Sequence, residues 1–284
     1  MSHIRPLTRS MAAALTIAST AALVTAGVAL AAVGTPAAAG QYTYTVKLNI
    51  GDEADSRACS GVLVDASWVL TATSCFAKTP GAAVVAGSPA LAATAKIGAD
   101  TDTFSVINIV PYSGRDVVLA KLSKPVSGSI TPIKLAAAQP AAGADVTAAG
   151  FGRTKTAWVQ SKVHTAAFGV ASTDATTLTL TGKGTDAICQ GDAGGPLVNS
   201  NGELVGINSR SWQGGCLDAP ATETRTGAIS ARADGLGGWI QQTARWNTSI
   251  VTFADVTGDG KADILGHQAD GTIVMGQSNG NGFT

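Results

Sequence analysis

Asp255, Thr257, Asp259, Lys261 and Asp263 stand at alternate positions of the segment Asp255-Val256-Thr257-Gly258-Asp259-Gly260-Lys261-Ala262-Asp263. Oxygen-bearing side chains at every second residue, with glycines where the backbone must fold tightly, suit a hard cation such as Ca²⁺. Lys261 would offer its carbonyl oxygen rather than its ammonium. The plainer reading of the same residues is a polar hairpin turn. Four cysteines, Cys59, Cys75, Cys189 and Cys216, can pair in three ways. No Cys-x-x-Cys spacing supports a zinc site, so disulfides are expected. Cys59 and Cys75 flank the strand-like stretch Ser60 to Thr73, and Cys189 and Cys216 flank Gly191-Asp192-Ala193-Gly194-Gly195-Pro196. Pairing within each set closes short loops, each worth roughly 3 kcal/mol by chain entropy. Of the three histidines, His3 is N-terminal, His267 lies in the tail, and only His164 remains for the long middle of the chain. Its stretch is strand-like, and a surface or partly packed position is expected for it.

The elements that must position these residues read as strands. The 284 residues suit one large domain or two smaller ones, and an all-β double barrel commonly needs more than ~200. Apolar residues are plentiful but many are Ala and Val, and with abundant Gly and Thr they point to short strands and turns. Tyr42 to Leu48 alternates with period two. Gly61-Val62-Leu63-Val64 and Trp68 to Ala72 are joined by Asp65-Ala66-Ser67, a hairpin pattern. Val117 to Leu122, Thr177 to Leu180 and Leu204 to Ile207 read as further strands, and Ile229 to Thr243 as a short terminal helix. A second unit begins near Trp246. The formal charge is zero, with no basic or acidic run, so nucleic acid is not an expected partner. Arg5 and Arg9 precede an apolar run from Met11 to Leu30, and small residues offer cleavage after Ala31 or after Ala39. This predicts a secretory signal removed at Ala31, hence an extracellular protein without a transmembrane anchor, rather than a membrane span.

From Val33 to about Ala244 the chain resembles the trypsin-like serine peptidases. Val33-Gly34-Thr35-Pro36-Ala37 looks like the family's mature N-terminus. Cys59-Ser60-Gly61-Val62-Leu63 through Trp68-Val69-Leu70-Thr71-Ala72-Thr73-Ser74-Cys75 is similar to its first disulfide block. Asp116 to Leu122 resembles the segment carrying the triad aspartate, and Ala149 to Thr154 the start of the second barrel. Cys189-Gln190-Gly191-Asp192-Ala193-Gly194-Gly195-Pro196-Leu197 matches the nucleophile loop in all but one residue. The resemblance implies an all-β fold: a trypsin-like double six-stranded β-barrel with a short C-terminal helix. It also implies disulfides Cys59–Cys75 and Cys189–Cys216, and backbone donors at Gly191 and Ala193 where the oxyanion hole lies in active relatives. Ala187 would take the floor of the specificity pocket, with Asp186 one place away. Either Ser209 or Ser211-Trp212 takes the family's Ser-Trp place. The tail from Phe253 to Phe283 looks like an FG-GAP (VCBS-type) repeat, a partial propeller-type unit. A single such unit cannot close a propeller, which suggests a truncated version of a longer protein. The expected domains are thus 1–31 signal, 32–245 peptidase-like and 246–284 calcium-loop repeat.

The departures from that family carry the functional expectation. The position of the general base is Ser74, the nucleophile position is Ala193, and of the three triad positions only Asp116 is retained. A serine attacks a carbonyl only when a base takes its proton and a carboxylate holds that base. In such hydrolases, loss of the serine or the histidine removes on the order of a million-fold of turnover. The expectation is a non-catalytic homologue that binds an extracellular peptide, protein or cell-surface ligand, with no peptidase turnover. The alternatives are a serine-type hydrolase using non-standard residues and a calcium-dependent adhesive protein acting through the tail. Asp116, without an imidazole partner, is expected to stay buried and to accept hydrogen bonds from the backbone of Thr73 and Ser74 and from the Ser74 hydroxyl.

Overall fold

The computed structural model describes residues 34–52, 54–79, 81–98, 102–128, 130–246, 250–267 and 273–279, all within one compact unit spanning 31–284. The expected signal segment and Val33 lie outside the described residues.

After a two-residue strand β1 (Thr35–Pro36), six strands build the first barrel: β2 (Thr45–Ile50), β3 (Arg57–Asp65), β4 (Trp68–Thr71), β5 (Ala93–Ile97), β6 (Thr103–Pro111) and β7 (Val118–Leu122). They pair antiparallel in the order β2-β3-β4-β7-β6-β5 and close on themselves, so no edge is left open. The two-residue turn between β3 and β4 is held by Ser67 N–H donating to Asp65 Oδ1 at 3.0 Å. Leu48, Leu63, Leu70, Ile97 and Leu119 fill this barrel, each fully buried.

The second barrel uses β8 (Asp145–Gly150), β9 (His164–Thr173), β10 (Thr177–Gly182), β11 (Pro196–Val198), β12 (Leu204–Ser211) and β13 (Ala228–Arg232). The sheet order β9-β10-β13-β12-β11-β8, with β8 also paired to β9, closes it, and β1 adds to the outside of β9. In β10 the sequence Thr-Leu-Thr-Leu buries Leu178 and Leu180 and turns the threonines outward, the period-two pattern of a half-buried strand. Phe168, Val170, Leu197 and Val205 complete that core.

The helix α1 (Gly237–Trp246) follows and straps back onto the first barrel. Ile240 joins that barrel's core, and Trp239 meets Tyr112 edge-on with ring centroids 5.0 Å apart. Arg115 donates to the carbonyls of Arg232 and Asp234 at 2.9 and 2.8 Å, a second tie between the halves. Three antiparallel strands, β14 (Ile250–Ala254), β15 (Asp263–His267) and β16 (Ile273–Gly276), form a separate small sheet in the tail. No helix among the described residues is long and apolar enough to cross a membrane.

Two element expectations are corrected. The first strand starts at Thr45 rather than Tyr42, because Tyr42 adopts φ +53° and Thr45 N–H closes a turn onto its carbonyl at 2.9 Å. The terminal helix starts at Gly237, since Ile229 belongs to β13 and the stretch from Asp234 to Gly238 carries three glycines, one with φ +77°.

Candidate active site

Both disulfides pair within their own blocks, Cys59–Cys75 and Cys189–Cys216, with S–S separations of 2.05 and 1.95 Å. The first pins β3 to a single 3₁₀ turn, Thr73–Cys75, which carries Ser74 at its centre. The second pins the loop 189–195, which carries Ala193, to the strand-end segment after β12.

That loop is sewn to both barrels through hydrogen bonds and close backbone approach. Ser60 N–H donates to Ala193 O at 2.8 Å, and Ser60 Oγ donates to Gly191 O at 2.8 Å while accepting from Phe151 N–H at 2.9 Å. Gly194 N–H reaches Asn208 O at 2.7 Å. A Cβ on Gly194 would sit 2.0 Å from Thr71 Oγ1 and 2.3 Å from Ser60 O, and its φ is +85°, so only glycine fits there. Asp192 turns its carboxylate beneath the loop, where Gly152 and Cys189 donate backbone N–H groups at 2.7 and 3.0 Å. A Cβ on Gly152 would fall 2.4 Å from that carboxyl carbon. Burial pushes Asp192 up to about 6, against the downward pull of its two N–H donors.

Asp116 lies just before β7 and is half-buried rather than buried. It accepts Ser74 N–H at 2.9 Å, Ser74 Oγ at 3.2 Å and Ser209 Oγ at 2.6 Å. Thr73 contributes no such bond; its hydroxyl is buried without a partner. The position expected for the base is thus a hydroxyl that donates to the carboxylate. Of the two serines open as candidates, Ser209 reaches Asp116, and Ser211 turns its hydroxyl to Ile188 O. Arg210 therefore follows the serine that contacts Asp116, and Trp212 lines a different depression with Leu180 and Ile229.

Between the barrels runs a cleft of about 630 Å³ lined by Ala193, Gly191, Phe151, Ile188, Ser209 and Ser211 together with Arg57, Arg153 and Arg210. Among its lining residues there is no imidazole and no carboxylate. The backbone N–H groups of Gly191 and Ala193 have no acceptor among the described residues, so both remain available as donors. Ala187 is 2% exposed and lines the small cavity of about 20 Å³ beside Asp192, while its neighbour Ile188 lines the cleft with Ser211. Asp186 points away, accepting Ala167 N–H at 2.7 Å. His164 begins β9, half-buried, with Nδ1 3.1 Å from Lys162 O; it borders a cavity of about 20 Å³ behind Asp192, not the cleft. Sequence reasoning missed the three arginines, which are far apart in the chain and form no motif.

In the tail, Asp255 accepts the backbone N–H groups of Gly258, Asp259 and Gly260 at 2.7, 3.1 and 2.9 Å. Asp263 is wholly enclosed and accepts from Val256, Thr257 and Ser278 N–H and from Thr257 Oγ1, which hold its carboxyl below the usual carboxylate range, the Ser278 bond foremost. Asp259 Oδ1 accepts Lys261 N–H at 2.9 Å. With the donors so placed the loop caps itself, and no group of three acidic side chains is gathered for a metal among the described residues.

The chain matches the trypsin family over residues 31–230. Serine protease 1 of Canis lupus familiaris is 29% identical over 225 residues, covering 72% of this chain and 85% of that protein. Trypsin of Sus scrofa is 28% identical over 242 residues, covering 75% of this chain and 95% of its own. A solved structure described as HL collagenase superposes with a TM-score of 0.57 at 23% identity, covering 74% of this chain and 96% of that one, which bears on the fold. Two closed six-stranded barrels, two disulfides and a family match across both of them make this chain a member of the trypsin family.

Proposed function

We propose that this trypsin-family protein is exported and non-catalytic, and that it holds an extracellular peptide or protein in the cleft between its barrels. The observation that carries the reading is the state of Asp116: Ser74 and Ser209 donate to it, where a triad needs an imidazole to be held. Ala193 supplies no nucleophile, and the cleft lining supplies no base. What remains is a lined groove with two free N–H donors, which binds without cutting. The test is labelling with a fluorophosphonate, together with turnover of a mixed peptide library. The protein and its Ala193→Ser variant should stay unlabelled and inactive, and only Ser74→His combined with Ala193→Ser should give measurable turnover. Labelling of a serine in the folded native chain would sink the reading.

A second reading concerns the tail. The alternation of Asp255, Thr257, Asp259, Lys261 and Asp263 supports a weak Ca²⁺ site in an FG-GAP-type unit, and the self-capped hydrogen bonding at Asp255 and Asp263 sets the competition an ion must win.

A further inference from the structure

We propose that the cleft selects acidic peptides, gripping their side-chain carboxylates with Arg57, Arg153 and Arg210; this rests on the reading of the cleft as a peptide-binding groove. Arg57 opens β3, Arg153 follows β8 and Arg210 lies near the end of β12, so the fold alone gathers them. The chain carries 19 basic and 19 acidic side chains, yet among the described residues the cleft lining holds three arginines and no carboxylate. That is a local excess of positive charge in a molecule without a net one.

The charges are not quenched by their present partners. Arg210 is exposed, and its guanidinium has no hydrogen-bond or ion-pair partner among the described residues. Arg57 donates to the carbonyls of Ala77 and Lys78, which orient the guanidinium without neutralising it. Arg153 stacks over Trp158, 3.9 Å from the ring centroid, and meets Asp218 only at 3.5 Å, where that aspartate is 63% exposed. The carboxylates of Asp192 and Asp116 are turned elsewhere: Asp192 lies beneath the loop, and Asp116 accepts from Ser74 and Ser209. A cleft lined by one sign of charge between low-dielectric walls focuses its field on an incoming anion. Guanidinium forks match carboxylates in two-point geometry, and two are oriented in advance by their contacts. The free N–H groups of Gly191 and Ala193 add donors at the floor for a carbonyl or carboxylate oxygen.

The test is fluorescence anisotropy of the full secreted chain with labelled hexaglutamate, hexalysine and a Gly-Ser hexamer, with polygalacturonate as competitor. Hexaglutamate should bind at least about tenfold tighter than the Gly-Ser peptide, since each charged contact is worth about that factor or more. The preference should collapse at about 0.5 M salt, where screening acts within roughly 4 Å. Arg210→Glu and Arg153→Glu should each weaken hexaglutamate about tenfold, and Arg210→Gln, a milder change, should do so in part. Equal binding of the acidic and neutral peptides overturns the charge selectivity and leaves peptide binding standing. No peptide binding overturns both. Capture of polygalacturonate that hexaglutamate cannot displace assigns the arginines to a carbohydrate and overturns the peptide class. Cleavage of hexaglutamate removes the non-catalytic reading while the anion preference stands.

Discussion

Two aspartates near the nucleophile loop show how environment divides one side-chain type into two roles. Asp116 is half-buried and carries three donors. Losing the Ser209 hydroxyl to alanine removes a charge-assisted bond and should cost about 1–2 kcal/mol, read by denaturant unfolding. Asp192 has its carboxylate shut beneath the loop with two N–H donors, and burial raises it to about 6 from 3.8. A carboxyl raised on folding stabilises the folded chain fully below its unfolded value and loses that contribution as pH rises through the folded one. Wild type should therefore lose roughly 2–3 kcal/mol between about pH 4 and pH 7 that Asp192→Asn does not lose. Parallel unfolding curves for the two proteins would mean the carboxylate is not desolvated. That Ser74 lies against Asp116 and that Ala193 lines the cleft was legible, because each stands inside a long matching block. The partner serine was not, because Ser209 and Ser211 are two apart on one strand and so point to the same side, and a register shift between Asn208 and Arg210 decides which reaches Asp116.

At the scale of elements, the strands with clean alternation were legible, as Leu178 and Leu180 in β10 illustrate. Boundaries failed where backbone conformation rather than hydrophobicity decides: Tyr42 is apolar enough for a strand but sits at φ +53°. Ile229 opens a stretch without breakers other than glycine, yet it pairs with Thr179 and Arg210 across neighbouring strands. The Cys59–Cys75 disulfide spans a sequence separation of 16 and fixes the turn that presents Ser74 to Asp116. Replacing both cysteines by alanine should lower stability by about 3 kcal/mol, measured by chemical denaturation. The loss should exceed that of Ser209→Ala, because the unfolded chain regains a whole loop's freedom rather than one hydrogen bond.

Across the whole molecule, the double barrel was legible because its blocks fall in order along the chain, and the arginine-lined cleft was not, because only closure of both barrels brings residues 57, 153 and 210 together. The tail has its own sheet, β14-β15-β16, and its own hydrogen-bonded loop. Gly258 and Gly260 take φ of +75° and +80°, which lets three N–H groups converge on Asp255. A cation entering this loop must share Asp255 oxygens with those amides, whereas the exposed Asp259 exchanges only one amide bond and a 3.9 Å contact with the Lys261 ammonium. Affinity should accordingly be weak, in the roughly 10⁻⁴ to 10⁻³ M range of extracellular sites, with Mg²⁺ poorer because it demands a tighter octahedron. Calorimetry on the intact chain should show Ca²⁺ binding that Asp259→Ala abolishes. Asp259 is the residue to change, because Asp263 also holds the loop together through four donors and its loss would unfold the turn. Equal Ca²⁺ uptake by both proteins, or none by either at millimolar concentration, would make this loop a turn that caps itself and remove the tail's claim to an adhesive role.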